Sequence, residues 1–166
     1  MAKKSKAKKN NAGTAAIAVL TEAGVPFELR EYEHVEGTTS FGLEAAEKIG
    51  ASPDQVFKTL LITQDKNVAV AIVPVAGKLN LKAAAAALGW KSASMCDPAV
   101  AQRRTGYVVG GISPLGQKTP SPTLLDASAQ NFETIMVSGG RRGLDVELSP
   151  ADLLALTEGK YADIRA

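Results

Sequence analysis

Val56-Phe57-Lys58-Thr59-Leu60-Leu61-Ile62-Thr63-Gln64-Asp65-Lys66-Asn67-Val68-Ala69-Val70-Ala71-Ile72-Val73-Pro74-Val75 is dominated by β-branched and apolar residues, with one polar tetrapeptide in its middle. Phe57–Thr63 and Val68–Val75 read as strands, and Gln64–Asn67 supplies the turn of a hairpin. Strands this apolar belong at the centre of a sheet. A charged residue inside one of them, Lys58, needs its own explanation.

The flanking segments alternate between helical and extended patterns. Residues 14–23 form a helix with Ile17 and Leu20 on one face and Gly24 as its left-handed stop. Pro26 opens a strand over Phe27–Tyr32. Thr38-Thr39-Ser40 leads into a helix at Phe41–Ile49 that ends at Gly50, and Ser52-Pro53-Asp54-Gln55 marks a single helical turn. Beyond the hairpin, Asn80 caps a helix Leu81–Leu88 stopped by Gly89, and Asp97-Pro98 opens another that runs to about Arg104. Extended stretches follow at Tyr107–Val109, Leu124-Leu125, Thr134–Val137 and Leu144–Leu148, with a Gly/Pro loop after the first and a helix capped by Ser149-Pro150 after the last. This order lacks the regular alternation of a doubly wound sheet. It predicts one α+β domain over residues 13–166, with a mixed, curved, barrel-like sheet and helices packed outside.

Composition narrows the class. At 166 residues, 45% hydrophobic and 22% charged, the chain fits one folded domain. The net charge of +2 conceals an asymmetry, because Lys3, Lys4, Lys6, Lys8 and Lys9 fall in the first ten residues. Without them fourteen basic side chains face seventeen acidic ones, a charge of −3. Residues 1–12 are therefore expected to be a flexible basic arm, either attracting polyanions or solubilising the terminus. The arm imitates the start of a signal peptide, but the apolar stretch Ala15–Leu20 is short and runs into Thr21-Glu22, so export is not expected. No run reaches the ~18 apolar residues of a membrane span, and the single cysteine, Cys96, forms no intrachain disulfide. A cytoplasmic location is expected.

One histidine, His34, and one cysteine supply neither a zinc cluster nor an evident triad. A surface position is expected for His34 and a small structural role for Cys96. No metal or other cofactor is called for. Lys58 shares a strand face with Val56, Leu60 and Ile62, and it is either a snorkelling side chain at a sheet edge or a cation aimed into a pocket. Val109-Gly110-Gly111-Ile112-Ser113-Pro114-Leu115-Gly116 can offer backbone N–H groups to an oxyanion or phosphate, or can be an ordinary turn. Val137-Ser138-Gly139-Gly140-Arg141-Arg142-Gly143 has the same two readings, with Ser138 as a donor and the arginines as phosphate ligands, or as a solvated hairpin.

Taken in order, Asp54–Leu61, Pro74-Val75-Ala76-Gly77, Thr105–Gln117 and Val137–Gly140 resemble the YbaK family, and most closely its bacterial Cys-tRNA(Pro) deacylases. The resemblance runs from about Thr14 to near Ile164 and implies a barrel-like α+β editing domain. It implies Lys58 and Gly110 as catalytic positions, with Tyr32, Phe41, Thr59, Gly111, Ser113, Pro114, Ser138 and Asp145 as substrate contacts. It also implies mischarged tRNA(Pro), engaged at its aminoacyl end, as substrate and prolyl-tRNA synthetase as a candidate partner, with neither metal nor membrane involved. Cys-tRNA(Cys) is a further substrate on this reading. The implied mechanism uses the substrate's own thiol, releasing a thiolactone in a lyase-like step, against plain hydrolysis. Two rivals stand beside it: an Ala-tRNA(Pro) deacylase of the same family, and a non-catalytic module that binds tRNA acceptor ends.

Overall fold

A computed structural model describes residues 13–166; the predicted basic arm, residues 1–12, lies outside the described residues. The chain runs α1 (Ala15–Ala23), β1 (Glu28–Glu31), α2 (Phe41–Ile49), β2 (Phe57–Gln64), β3 (Asn67–Pro74), α3 (Leu81–Leu88), β4 (Ser94–Met95) and α4 (Pro98–Thr105). It continues through β5 (Thr123–Asp126), a 3₁₀ segment (Ala127–Asn131), β6 (Ile135–Arg141), β7 (Leu144–Leu148), α5 (Pro150–Thr157) and β8 (Lys160–Ala162). Among these described helices none is long and apolar enough to cross a membrane.

Local chemistry sets most boundaries. The side chains of Thr14, Asn80, Asp97 and Ser149 accept N–H groups at the starts of α1, α3, α4 and α5, while Gly24, Gly50 and Gly89 end α1, α2 and α3 at positive φ. Asp65, with φ of 55°, makes the tight turn between β2 and β3. Ser52–Val56 forms the expected single turn, closed by the Val56 N–H to Ser52 C=O bond at 3.2 Å.

The strands form two sheets, one of five strands in the order β4-β2-β3-β5-β8 and one of three in the order β1-β7-β6. The α+β class holds, but the sheets do not close into a barrel. Closure would require β2 to pair along β6, and among the described residues the one bridge between these segments is Val56–Met136, just before β2 begins. Beyond it, β6 leaves regular pairing at an irregularity between Ser138 and Arg141. Gly139 and Gly140 make this possible. A Cβ on Gly140 would lie 2.9 Å from Thr14 Cβ, and Thr14 Oγ1 donates to the Gly139 carbonyl at 2.5 Å, so α1 packs on the disrupted strand.

The predicted strand at Tyr107–Val109 is absent. Its backbone groups are taken locally: Thr105 Oγ1 accepts the Tyr107 N–H, Gln102 Oε1 accepts the Val109 N–H, and the Gly111 N–H donates to the Val108 carbonyl. Two short strands, β4 and β8, lie outside the sequence reading.

The main core joins Leu20, Phe57, Leu61, Ile72, Leu125, Val137, Val146 and Leu153. The opposite face of the larger sheet, including Ile62, Ala69 and Leu124, packs with α3.

Candidate active site

The site grows from an incompleteness in β2. Its register with β3 places Lys58 opposite Val73 and Leu60 opposite Ala71. The Val75 N–H bonds the Val56 carbonyl on the β3 side, whereas the Cys96 N–H bonds the Leu61 carbonyl on the other. In an antiparallel ladder successive residues alternate edges, so Phe57 and Thr59 direct their N–H and C=O groups away from β3. There β4 pairs only with Ile62 and Thr63. The first half of β2 thus presents an open edge.

A cavity of about 430 Å³ occupies the space beside that edge, lined by Val56–Leu61 together with the start of α2, the Gly110 loop and Ser138 and Asp145 from the smaller sheet. Lys58, Gly110, Tyr32, Phe41, Thr59, Ser138 and Asp145 all line it. Gly111, Ser113 and Pro114 lie behind this surface. Ser113 is fully buried; its Oγ accepts the Leu115 N–H and its carbonyl accepts the Gln117 side chain, so it shapes the loop. A Cβ on Gly111 would sit 2.8 Å from Arg141 Cα and 2.9 Å from Arg142 N, a backbone approach that only glycine permits. Pro114 is buried in the same loop.

The glycine loop is braced on several sides. Tyr107 Oη donates to the Leu115 carbonyl at 2.7 Å, and Arg142 Nε donates to the Val109 carbonyl at 2.8 Å. Gly110 has φ of 89°, and a Cβ there would lie 2.7 Å from the Phe41 ring. Its N–H makes no hydrogen bond among the described residues.

Electrostatics separate the polar lining into groups that are satisfied and groups left for a ligand. Burial pulls the Lys58 ammonium below the ordinary lysine value, with Lys78 adding repulsion, and no carboxylate pairs with it among the described residues. Asp145 is 5% exposed, and burial pushes its carboxyl up to about 7. Burial and the nearby Asp145 push the Tyr32 phenol up to about 12. Thr59 Oγ1 is buried without a hydrogen-bond partner among the described residues.

His34 departs from the surface position expected of it. Its side chain is 13% exposed and its Nδ1 lies 2.7 Å from Glu44 Oε1, while Glu44 Oε2 accepts the Val35 N–H. Burial alone would raise the Glu44 carboxyl, but the Val35 and His34 contacts hold it below the ordinary glutamate value. This pairing ties the segment after β1 to α2 and sets the His34 ring 5.7 Å from that of Phe41.

Met95, Cys96, Leu43 and Ser40 also line the cavity, none of them among the sequence-based candidates. Ser40 carries a signal in hindsight: it is the N-cap of α2, yet its hydroxyl makes no capping bond. Cys96 lacks the environment of an activated thiolate, because burial and Asp97 push its thiol up.

An α+β domain with a half-open strand, a half-buried lysine and a braced glycine loop defines a small-ligand pocket without an evident nucleophile of its own. The profile of the aminoacyl-tRNA editing domain matches residues 36–156, and the chain belongs to that family. It is 37% identical over 166 residues to an Enterococcus faecalis (strain ATCC 700802 / V583) protein, EbsC, assigned provisionally as a Cys-tRNA(Pro)/Cys-tRNA(Cys) deacylase; the match covers 99% of this chain and 98% of that protein. Two solved structures share the fold. One, described provisionally as a trans-editing enzyme for prolyl tRNA synthetase, has 25% identity and a TM-score of 0.80, covering 98% of this chain and 99% of that one. The other comes from computational grafting of epitope backbones onto scaffold proteins, with 27% identity and a TM-score of 0.81, covering 92% and 95%.

Proposed function

We propose that this protein is a trans-acting deacylase that clears cysteine from tRNA(Pro), the substrate's thiol serving as nucleophile. The observation that carries the reading is the composition of the cavity: a lysine and a Gly110 N–H without partners among the described residues and a buried carboxyl, with no histidine in the lining and Cys96 held as a thiol. His34 is engaged by Glu44 outside the lining, and Cys96 is held as a thiol.

In this reaction the cysteinyl sulfur attacks its own ester carbonyl. A C–S bond forms, the bond to the ribose oxygen breaks, and the thiol proton ends on that oxygen as tRNA leaves with a free terminal ribose. The product is a small cyclic thiolactone. Lys58 and the Gly110 N–H stabilise the oxyanion that develops on the carbonyl, and Asp145 faces the α-ammonium of the ester. Tyr32, Thr59 and Ser138 supply polar contacts, and Phe41 closes one wall. Catalysis is chiefly orientation, for which well-placed intramolecular groups reach effective molarities of about 10⁵ M or more. Cys-tRNA(Cys) presents the same ester and is a second substrate on this account, and prolyl-tRNA synthetase is the source of the mischarged tRNA.

The test uses purified protein without a synthetase and Cys-tRNA(Pro) whose thiol is capped as a methyl disulfide. The capped ester should persist and be cleaved at once after reduction. Equal cleavage of capped and free substrate would replace this mechanism with hydrolysis by water.

A further inference from the structure

The basic side chains that surround the smaller sheet are mostly engaged. Arg141 pairs with Glu31, Arg30 with Glu28 and Glu147, and Lys48 with Glu44. Arg142, in the turn between β6 and β7, is different. It is exposed, and no carboxylate pairs with it among the described residues. Its position is nonetheless fixed: Nε donates to the Val109 carbonyl at 2.8 Å, and its guanidinium lies over the Phe41 ring, 4.9 Å from the centroid. Both Val109 and Phe41 line the cavity. The backbone under Arg142 is held as well, since Gly111 lies too close to Arg141 and Arg142 to admit a Cβ.

The side chain therefore spends one nitrogen and one ring contact on being oriented, and leaves its two terminal nitrogens at the rim of the pocket without a partner among the described residues. An oriented guanidinium with an open pair of donors matches a phosphate group bidentately. Loop bracing alone would not call for this residue, because one N–H donor to Val109 suffices for it.

We propose that Arg142 is the receptor for the 5′-phosphate of the 3′-terminal adenosine, holding the end of the acceptor strand while the aminoacyl ester enters the cavity. This rests on the deacylase reading for its substrate. It also divides the labour between two cations of the pocket, leaving Lys58 inside the cavity for the ester and Arg142 outside it for the nucleotide.

Equilibrium titration with adenosine 5′-phosphate and with adenosine tests the assignment without requiring turnover, so it stands or fails separately from the deacylase activity. The intact protein should bind the nucleotide about tenfold to a hundredfold more tightly than the nucleoside, the worth of a charge-assisted pair of hydrogen bonds. Arg142→Gln should erase that difference while leaving adenosine binding unchanged, and Arg142→Lys should restore part of it. The proposal is overturned if the intact protein does not distinguish the two ligands, if Arg142→Gln keeps the preference, or if it weakens both ligands equally, as a mere loop brace would.

Discussion

Asp145 gives the most quantitative prediction. Its carboxyl is 5% exposed on β7, has no basic partner among the described residues, and is pushed by burial from 3.8 to about 7. In the unfolded chain it ionises near its ordinary value, so between about pH 4 and 7 the folded protein holds a proton that the unfolded protein has lost. The sign follows: stability tied to this group is fully present in acid, below about pH 4, and is lost as pH rises through 7. At about 1.4 kcal/mol per pH unit, the displacement costs about 4 kcal/mol at pH 8. Asp145→Asn removes that cost while conserving shape. For a domain of this size about 4 kcal/mol corresponds to about 10 °C in melting temperature. Thermal melts of both proteins from pH 4.5 to 8 should show a small gap in acid that widens to about that size at pH 8, with the variant the more stable. The variant should also lose affinity for the cysteinyl ester, because the charge facing the α-ammonium is gone. A gap independent of pH would refute the reasoning, since it would mean that Asp145 ionises alike in both states.

Lys58→Met should abolish Cys-tRNA(Pro) deacylation, by about a hundredfold or more, while leaving the melting temperature equal or higher, because the apolar stem stays and an unpaired, half-buried charge is removed; an active, well-folded variant would assign Lys58 to snorkelling. Cys96→Ala should keep most of its activity in the same assay although Cys96 lines the cavity, and complete loss with an intact fold would place the attacking sulfur in the protein. Deleting residues 1–12 should flatten the salt dependence of tRNA binding by about 0.7–0.9 in log–log slope for each phosphate that the arm neutralises, whereas equal slopes would make the arm a solubilising tail.

Much of the fold was legible because its signals are local. Thr14, Asn80, Asp97 and Ser149 each cap a helix with their own side chain, and Gln64–Asn67 encloses a hairpin turn, so these boundaries need only neighbouring residues. Tyr107–Val109 misled for the converse reason: an apolar run reads as a strand, but Thr105 and Gln102 take its N–H groups first. Whether two sheets close into a barrel depends on how far β2 follows β6, and nothing within either segment specifies that. The same holds for the site. Lys58 announced itself as a charge among apolar neighbours, whereas Cys96 and Met95 reach the cavity only because β4 pairs at Ile62 and Thr63 and stops. The burial of His34 is not legible in its own neighbourhood, because its partner, Glu44, is a buried acid on a helix ten residues away.

The central claim is that the substrate supplies the nucleophile. The most direct measurement is the initial rate of deacylation of Cys-tRNA(Pro), Ala-tRNA(Pro) and Pro-tRNA(Pro) by the purified protein with no synthetase present. The account predicts rapid loss of cysteine and background rates for alanine and proline; release of alanine at a rate comparable to cysteine would contradict it.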